Sequence, residues 1–191
     1  MNSRFSEYEQ QSKRSKAGLF LYVYSEIERQ NCIPDHDLFV DYFVWKANND
    51  PKYADLYVTS GTSDKNSNHK FLQISKQSWV IKNTGICDEM SLHLEGDNKR
   101  LSLHFEVTPY TPLAKLAHET RRKYEEQRDL LRKTLENVAV TGVKVCAPDK
   151  RETITLIKFI ISDTDDLKNT FQKLSDIINA VEKSLDCFFI K

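Results

Sequence analysis

Glycine is scarce, at five residues in 191. None of the five falls into a G-x-G-x-x-G or Walker loop, so no run of bare backbone N–H groups cradles a nucleotide phosphate. No G-x-S-x-G elbow presents a nucleophilic serine. No E-x-K occurs from which a carboxylate-and-lysine nuclease centre could be built, and Pro34-Asp35 and Pro148-Asp149 read as a helix start and a turn. The four cysteines, Cys32, Cys87, Cys146 and Cys187, lie far apart, without C-x-x-C or zinc-ribbon spacing. They read as reduced, partly buried thiols, which fits an intracellular compartment. Neither a charge path to nucleotide chemistry nor a covalent mechanism is visible.

An excess of charge is missing too. Lys plus Arg and Asp plus Glu number 28 each, a net charge of zero, which argues against a broadly cationic nucleic-acid or membrane binder while leaving local patches open. No run reaches the roughly 20 apolar residues of a membrane span. The segment LFLYVY, after a polar N-terminus, is too short and poorly flanked for a secretory signal. These absences lead to the expectation of a soluble, cytoplasmic protein with no membrane partner, no cofactor and no metal.

What is present centres on Met90 to Val107, MSLHLEGDNKRLSLHFEV. Leu92 and Leu94, then Leu101, Leu103, Phe105 and Val107, alternate with Ser91, His93 and Glu95, then Ser102, His104 and Glu106. That period of two marks strands with one buried face. With Asp97 to Arg100 as the loop, Gly96 faces Leu101, Leu94 faces Leu103, Leu92 faces Phe105 and His93 faces His104. Opposed residues then share a side, whereas a slip of one would set apolar against polar along the whole pair. The predicted hairpin has a greasy underside and a polar face bearing two H-x-E units, His93-Glu95 and His104-Glu106.

Around it, Phe5 to Gln30 reads as a helix with Tyr8, Leu19, Leu21, Tyr22, Tyr24 and Ile27 as candidate core and Gly18 as a break. A second helix, capped by Asp35, turns Leu38, Phe39, Tyr42, Phe43 and Trp45 to one face. DPKYADLYV is a helical turn or a short strand. Ser60 to His69 holds no large apolar side chain and reads as a mobile loop or an internal boundary between a helical part, 1–59, and a sheet and helix part, 70–191, of one 1–191 domain. KFLQIS and SWVIKNTGI are predicted as two further strands. Thr111 and Pro112 open a long helix to about Asn137, with Leu113, Leu116, Ala117, Tyr124, Leu131, Leu135 and Val138 as its stripe. A second hairpin, VTGVKVCA and TITLIKFII, precedes a last helix capped by Asp163 or Thr164. CFFIK then adds an edge strand or tucks into the core. This order defines the α+β class, an antiparallel sheet of about four to six strands with helices on one face.

Two functional readings follow. In the first, the protein is a non-catalytic binding module that meets a protein or nucleic-acid partner, either through the sheet face or through the long helix edged by Arg121, Arg128 and Arg132. Lys13, Arg14 and Lys16 add a second basic stretch. Glu125 and Glu136 interrupt the arginine row, and a salt-bridged exterior accounts for it more simply. In the alternative, His93, Glu95, His104 and Glu106 assist a metal-dependent hydrolysis, since opposed Cβ atoms stand roughly 4.5 to 5.5 Å apart. Against that, an exposed strand face must carry something polar, and metal-like spacing on one hairpin is common without a metal. Asp163, Asp165 and Asp166 serve a helix N-terminus before they serve a cation. Trp79, on an alternating strand, reads as core.

Overall fold

The computed structural model describes residues 16–62, 69–81, 89–108, 111–148, 154–161 and 166–189. Its centre is the hairpin, β3 (Glu89–Gly96) and β4 (Arg100–Thr108). The pairing is the one that alternation and turn chemistry dictate: Gly96 opposite Leu101, Leu94 opposite Leu103, His93 opposite His104, Leu92 opposite Phe105. Met90, Leu92, Leu94, Leu101, Leu103, Phe105 and Val107 are all buried. At about 1.5–3 kcal/mol for each such side chain, a one-residue slip, which turns outward either Met90, Leu92 and Leu94 or Leu101, Leu103, Phe105 and Val107, would forfeit on the order of 5–12 kcal/mol. That margin dwarfs any surface ion pair, so burial sets the register. In the turn, the Asp97 amide donates to the Arg100 carbonyl at 2.8 Å, and Asp97 Oδ1 accepts from the amides of Lys99 and Arg100.

Four further strands extend the hairpin into one antiparallel sheet in the order β1-β2-β3-β4-β6-β5. They are β1 (Leu56–Thr62), β2 (Lys70–Ile81), β5 (Val143–Cys146) and β6 (Thr155–Ile161). β1 and β2 flank residues 63–68, and their pairing runs out to Thr62 opposite Lys70, so Ser60 to Thr62 belong to a strand and not to the predicted loop. KFLQIS and SWVI form one strand where two were expected. The ladder between β2 and β3 is interrupted at Lys76–Trp79, four residues opposite the single Leu92, and resumes at Val80. A bulge lets a strand carry extra residues without ending. A second irregularity places Leu156 between the pairs Leu103–Ile157 and His104–Thr155.

The apolar face of the sheet shares one core cluster with the helices α1 (Lys16–Gln30), α2 (His36–Asn48), α3 (His118–Leu135) and α4 (Leu167–Phe189). Asp35 caps α2 as expected, accepting from the Leu38 amide at 3.1 Å. Phe39, Val40, Tyr42, Phe43 and Ala47 are its buried set, while Leu38 and Trp45 sit at the core's margin. α1 runs through Gly18 without a break and buries Tyr24 and Ile27, but Leu21 is exposed. Pro51–Tyr53 makes a 3-10 turn ahead of β1, so DPKYADLYV supplies both a turn and a strand. Pro112 leads into another 3-10 turn, Leu113–Lys115, and α3 starts only at His118. Its Tyr124 stacks on Phe105 at 4.8 Å, and the hydroxyl donates to the Phe105 carbonyl at 2.6 Å. α4 continues through Cys187, Phe188 and Phe189, so the ending forms no edge strand, while Phe188 and Phe189 pack against the core, the other course expected of it. Asp166 accepts from the Asn169 amide at 3.0 Å, while Asp163, Thr164 and Asp165 lie outside the described residues. Lys76, in the β2 bulge, pairs with Glu182 of α4 and approaches Asp186 at 3.9 Å. Trp79 is fully buried. Cys146 is half-buried as expected, whereas Cys32 and Cys187, expected to be partly buried, are exposed; Cys87 is outside the described residues. No helix among the described residues is long and apolar enough to cross a membrane.

Candidate functional site

On the opposite face of the hairpin the two H-x-E units converge. The His93 and His104 rings stand edge to face, centroids 5.3 Å apart at 83°. Glu95 lies two residues beyond His93 on the same face, and Glu106 two beyond His104. His93 Nε2 is 3.7 Å from Glu95 Oε2 and 3.8 Å from Glu106 Oε1. His104 Nδ1 is 4.0 Å from Glu95 Oε2. One ligand atom each from His93, Glu95 and His104 falls within 4.8 Å of the others. The four sequence candidates therefore form one group.

Their burial distinguishes them from a solvated strand face. Side-chain exposure is 9% for His93, 14% for His104, 20% for Glu106 and 34% for Glu95. The cause is position in the sheet. β3 and β4 are its two middle strands, so His93, Glu95 and His104 each have a neighbour on both sides, Ser75 and His104 beside His93, Gln73 and Ser102 beside Glu95, His93 and Thr155 beside His104, while Glu106 has Ser91 on one side. Ser102 and Thr155 are themselves buried. The two ladder irregularities, at Lys76–Trp79 and at Leu156, fall immediately beside the His93–His104 rung, one on each flank. Bulges re-aim side chains and recur next to functional sites.

The carboxyl groups are driven apart electrostatically. The neighbouring His93 imidazole, with help from His104 and Arg100 and against the penalty of burial, holds Glu95 below the ordinary glutamate range. Burial pushes Glu106 the other way, and the charge of Glu95 adds to that push while His93 opposes it. One acid of the pair is thus ionised more readily than usual and the other less.

The arginine edge does not assemble as a patch. Arg121 is exposed and paired with Glu125 at 3.0 Å. Arg128 is mostly buried and contacts Asp129 at 3.3 Å. Arg132 donates from Nη2 to the Thr155 carbonyl at 3.1 Å, and burial with the adjacent Arg128 lowers its pKa. Their shared helical stripe turns progressively into the protein where α3 meets β6, so similar angles on a helical wheel end in different environments. Lys13 and Arg14 lie outside the described residues.

Sequence reasoning missed a second histidine cluster, His36, Asp37 and His69. Its members join only when β2 docks beside the start of α2, so no local pattern announces it. Asp37 Oδ1 accepts from the Lys70 amide at 3.1 Å, His36 Nε2 lies 2.5 Å from the Lys70 carbonyl, and the rings are 5.8 Å apart. These contacts clamp α2 to the sheet. A third feature, a cavity of about 270 Å³ between α1, α2 and α4, is lined by Glu28, Tyr42, Lys46, Leu167, Lys168 and Phe171. Its Lys46 is already paired with Glu28 and lies over the Tyr42 and Phe171 rings. No protein family matches the chain, and no similar protein is found among curated sequences or solved structures.

Proposed function

We propose that the protein is a binding module and that its ligand, carrying positive charge, seats against His93, Glu95, His104 and Glu106. The observation that supports this is the gathering of four ionisable side chains, one buried and three half-buried, on a sheet face that could have carried serine or threonine. Withdrawing such groups from water costs free energy, and clusters that work against stability are characteristic of sites kept for function. Glu95, held ionised, makes the group attractive to a cation and unattractive to nucleic-acid phosphates. The sheet face therefore carries the reading in preference to the arginine-edged helix.

The test is a quadruple variant, His93→Gln, Glu95→Gln, His104→Gln and Glu106→Gln, unfolded in urea at neutral pH. A ligand site predicts stability equal to or above that of the wild type. A loss of more than about 2 kcal/mol would show a structural hydrogen-bonded network instead and end the proposal.

A second reading, metal-assisted hydrolysis, is favoured by one observation: two neighbouring carboxyl groups shifted in opposite directions beside two imidazoles, the condition that separates an acid from a base. Turnover of a p-nitrophenyl phosphate or ester that persists in Glu106→Gln would remove that reading.

A further inference from the structure

Building on the reading that this group is a ligand site, we propose that it is a site for a divalent transition metal. His93 Nε2, His104 Nδ1 and a Glu95 carboxylate oxygen are the ligands, and Glu106 closes the shell. Interatomic spacing separates a metal from the other cation that such a group could take, the ammonium of a lysine. A tetrahedral zinc with bonds near 2.0–2.2 Å sets its ligand atoms about 3.4 Å apart. An ammonium donating bonds of 2.7–2.9 Å at tetrahedral angles spreads its acceptors to about 4.6 Å. The separations here are 3.7, 3.8 and 4.0 Å. The two at His93, 3.7 and 3.8 Å, lie closer to the metal value and the third, 4.0 Å, lies midway, so movements of about 0.3–0.6 Å by side-chain rotation bring the atoms to metal spacing.

Charge and ligand type narrow the ion. Two neutral imidazoles and two carboxylates sum to a charge that a divalent ion cancels. Two nitrogen donors suit zinc, copper, iron or nickel, whereas calcium and magnesium take oxygen shells. Rigidity comes from the sheet, since each histidine sits on a middle strand paired on both sides. Ser75, Gln73, Ser91 and Ser102, directly opposite members of the group, are placed to orient the ligands, a support that metal sites ordinarily need.

The full chain, prepared without a histidine tag and stripped of metal, is titrated with Zn²⁺ by calorimetry, with Co²⁺ absorption as a coordination readout. One equivalent is expected, with proton release because the ligands must be deprotonated. His93→Ala, His104→Ala and Glu95→Gln are each expected to weaken binding by about 10²-fold or more. Glu95→Gln keeps side-chain size, so the test survives if an alanine variant fails to fold. His36→Ala and His69→Ala are the controls and are expected to bind Zn²⁺ as the wild type does. No binding, binding untouched by the three site variants, or binding lost in His36→Ala or His69→Ala overturns the metal site. If zinc does not bind and the quadruple glutamine variant is nonetheless as stable as the wild type, the metal falls and the binding-face reading stands; if zinc does not bind and that variant is destabilised, both fall.

Discussion

Replacing Gly96 by alanine probes the joint that aims Glu95 into the site. Gly96 has φ +155°, a conformation that L side chains rarely adopt, and a Cβ there would stand 1.8 Å from the Arg100 carbonyl oxygen. The oxygen is backbone, so no side chain can swing clear; the turn itself must open. Opening it breaks the hydrogen bond that the Asp97 N–H donates to that carbonyl and the two hydrogen bonds into Asp97 Oδ1, at about 0.5–1.5 kcal/mol each. Residual backbone strain adds about 1–3 kcal/mol. Alanine's lower unfolded-state entropy returns only about 0.4–1 kcal/mol. The net expectation is a loss of about 4 kcal/mol. Gly142 supplies the control, because it also has positive φ, at +70°, but its nearest neighbour to an added Cβ is the side-chain Cε of Lys173 at 3.4 Å. Gly142→Ala should lose only the left-handed penalty, about 1–2 kcal/mol. Urea unfolding with an unchanged slope measures both, and imidazole resonances of His93 and His104 should shift in Gly96→Ala alone. If the two variants are equally stable, or if Gly96→Ala leaves the imidazoles unmoved, the account of the turn is wrong.

Tyr124→Phe keeps the stack on Phe105 and removes the hydroxyl's bond to the Phe105 carbonyl, so it should cost about 1–2 kcal/mol against about 3–5 kcal/mol for Tyr124→Ala; near-equal losses in chemical denaturation would contradict the division between packing and hydrogen bonding. Glu106 has its pKa raised above the ordinary 4.5 by burial, so its contribution to stability is fully present below 4.5 and is lost as pH rises through the raised value. Glu106→Gln should therefore gain stability relative to the wild type at neutral pH and lose that advantage under acid. Glu95 is opposite in sign: its pKa is lowered, its contribution is present above the ordinary value, and Glu95→Gln should be relatively weaker at neutral pH than in acid. Unfolding curves collected across that range decide both, and parallel profiles for the two variants would refute the split.

Alternation along Met90 to Val107 is a local property, and the hairpin register follows from it because a slip of one residue would turn the buried side chains of one strand outward. Turn formers, caps and helical stripes are equally local, which is why the α+β class, the Asp35 cap and the pairing of His93 with His104 can be read from residue order alone. Burial of that pair cannot. It depends on β2 and β6 lying alongside, on two ladder irregularities produced by those neighbours, and on the middle position of β3 and β4 in the sheet. The same limit applies to Arg121, Arg128 and Arg132, which share a helical stripe and diverge only where α3 meets β6, and to His36 and His69, brought together by docking across 33 residues of chain. Periodicity reports which way a side chain points; how much water remains there is set by elements distant in the chain, and that quantity turns a row of polar residues into a site.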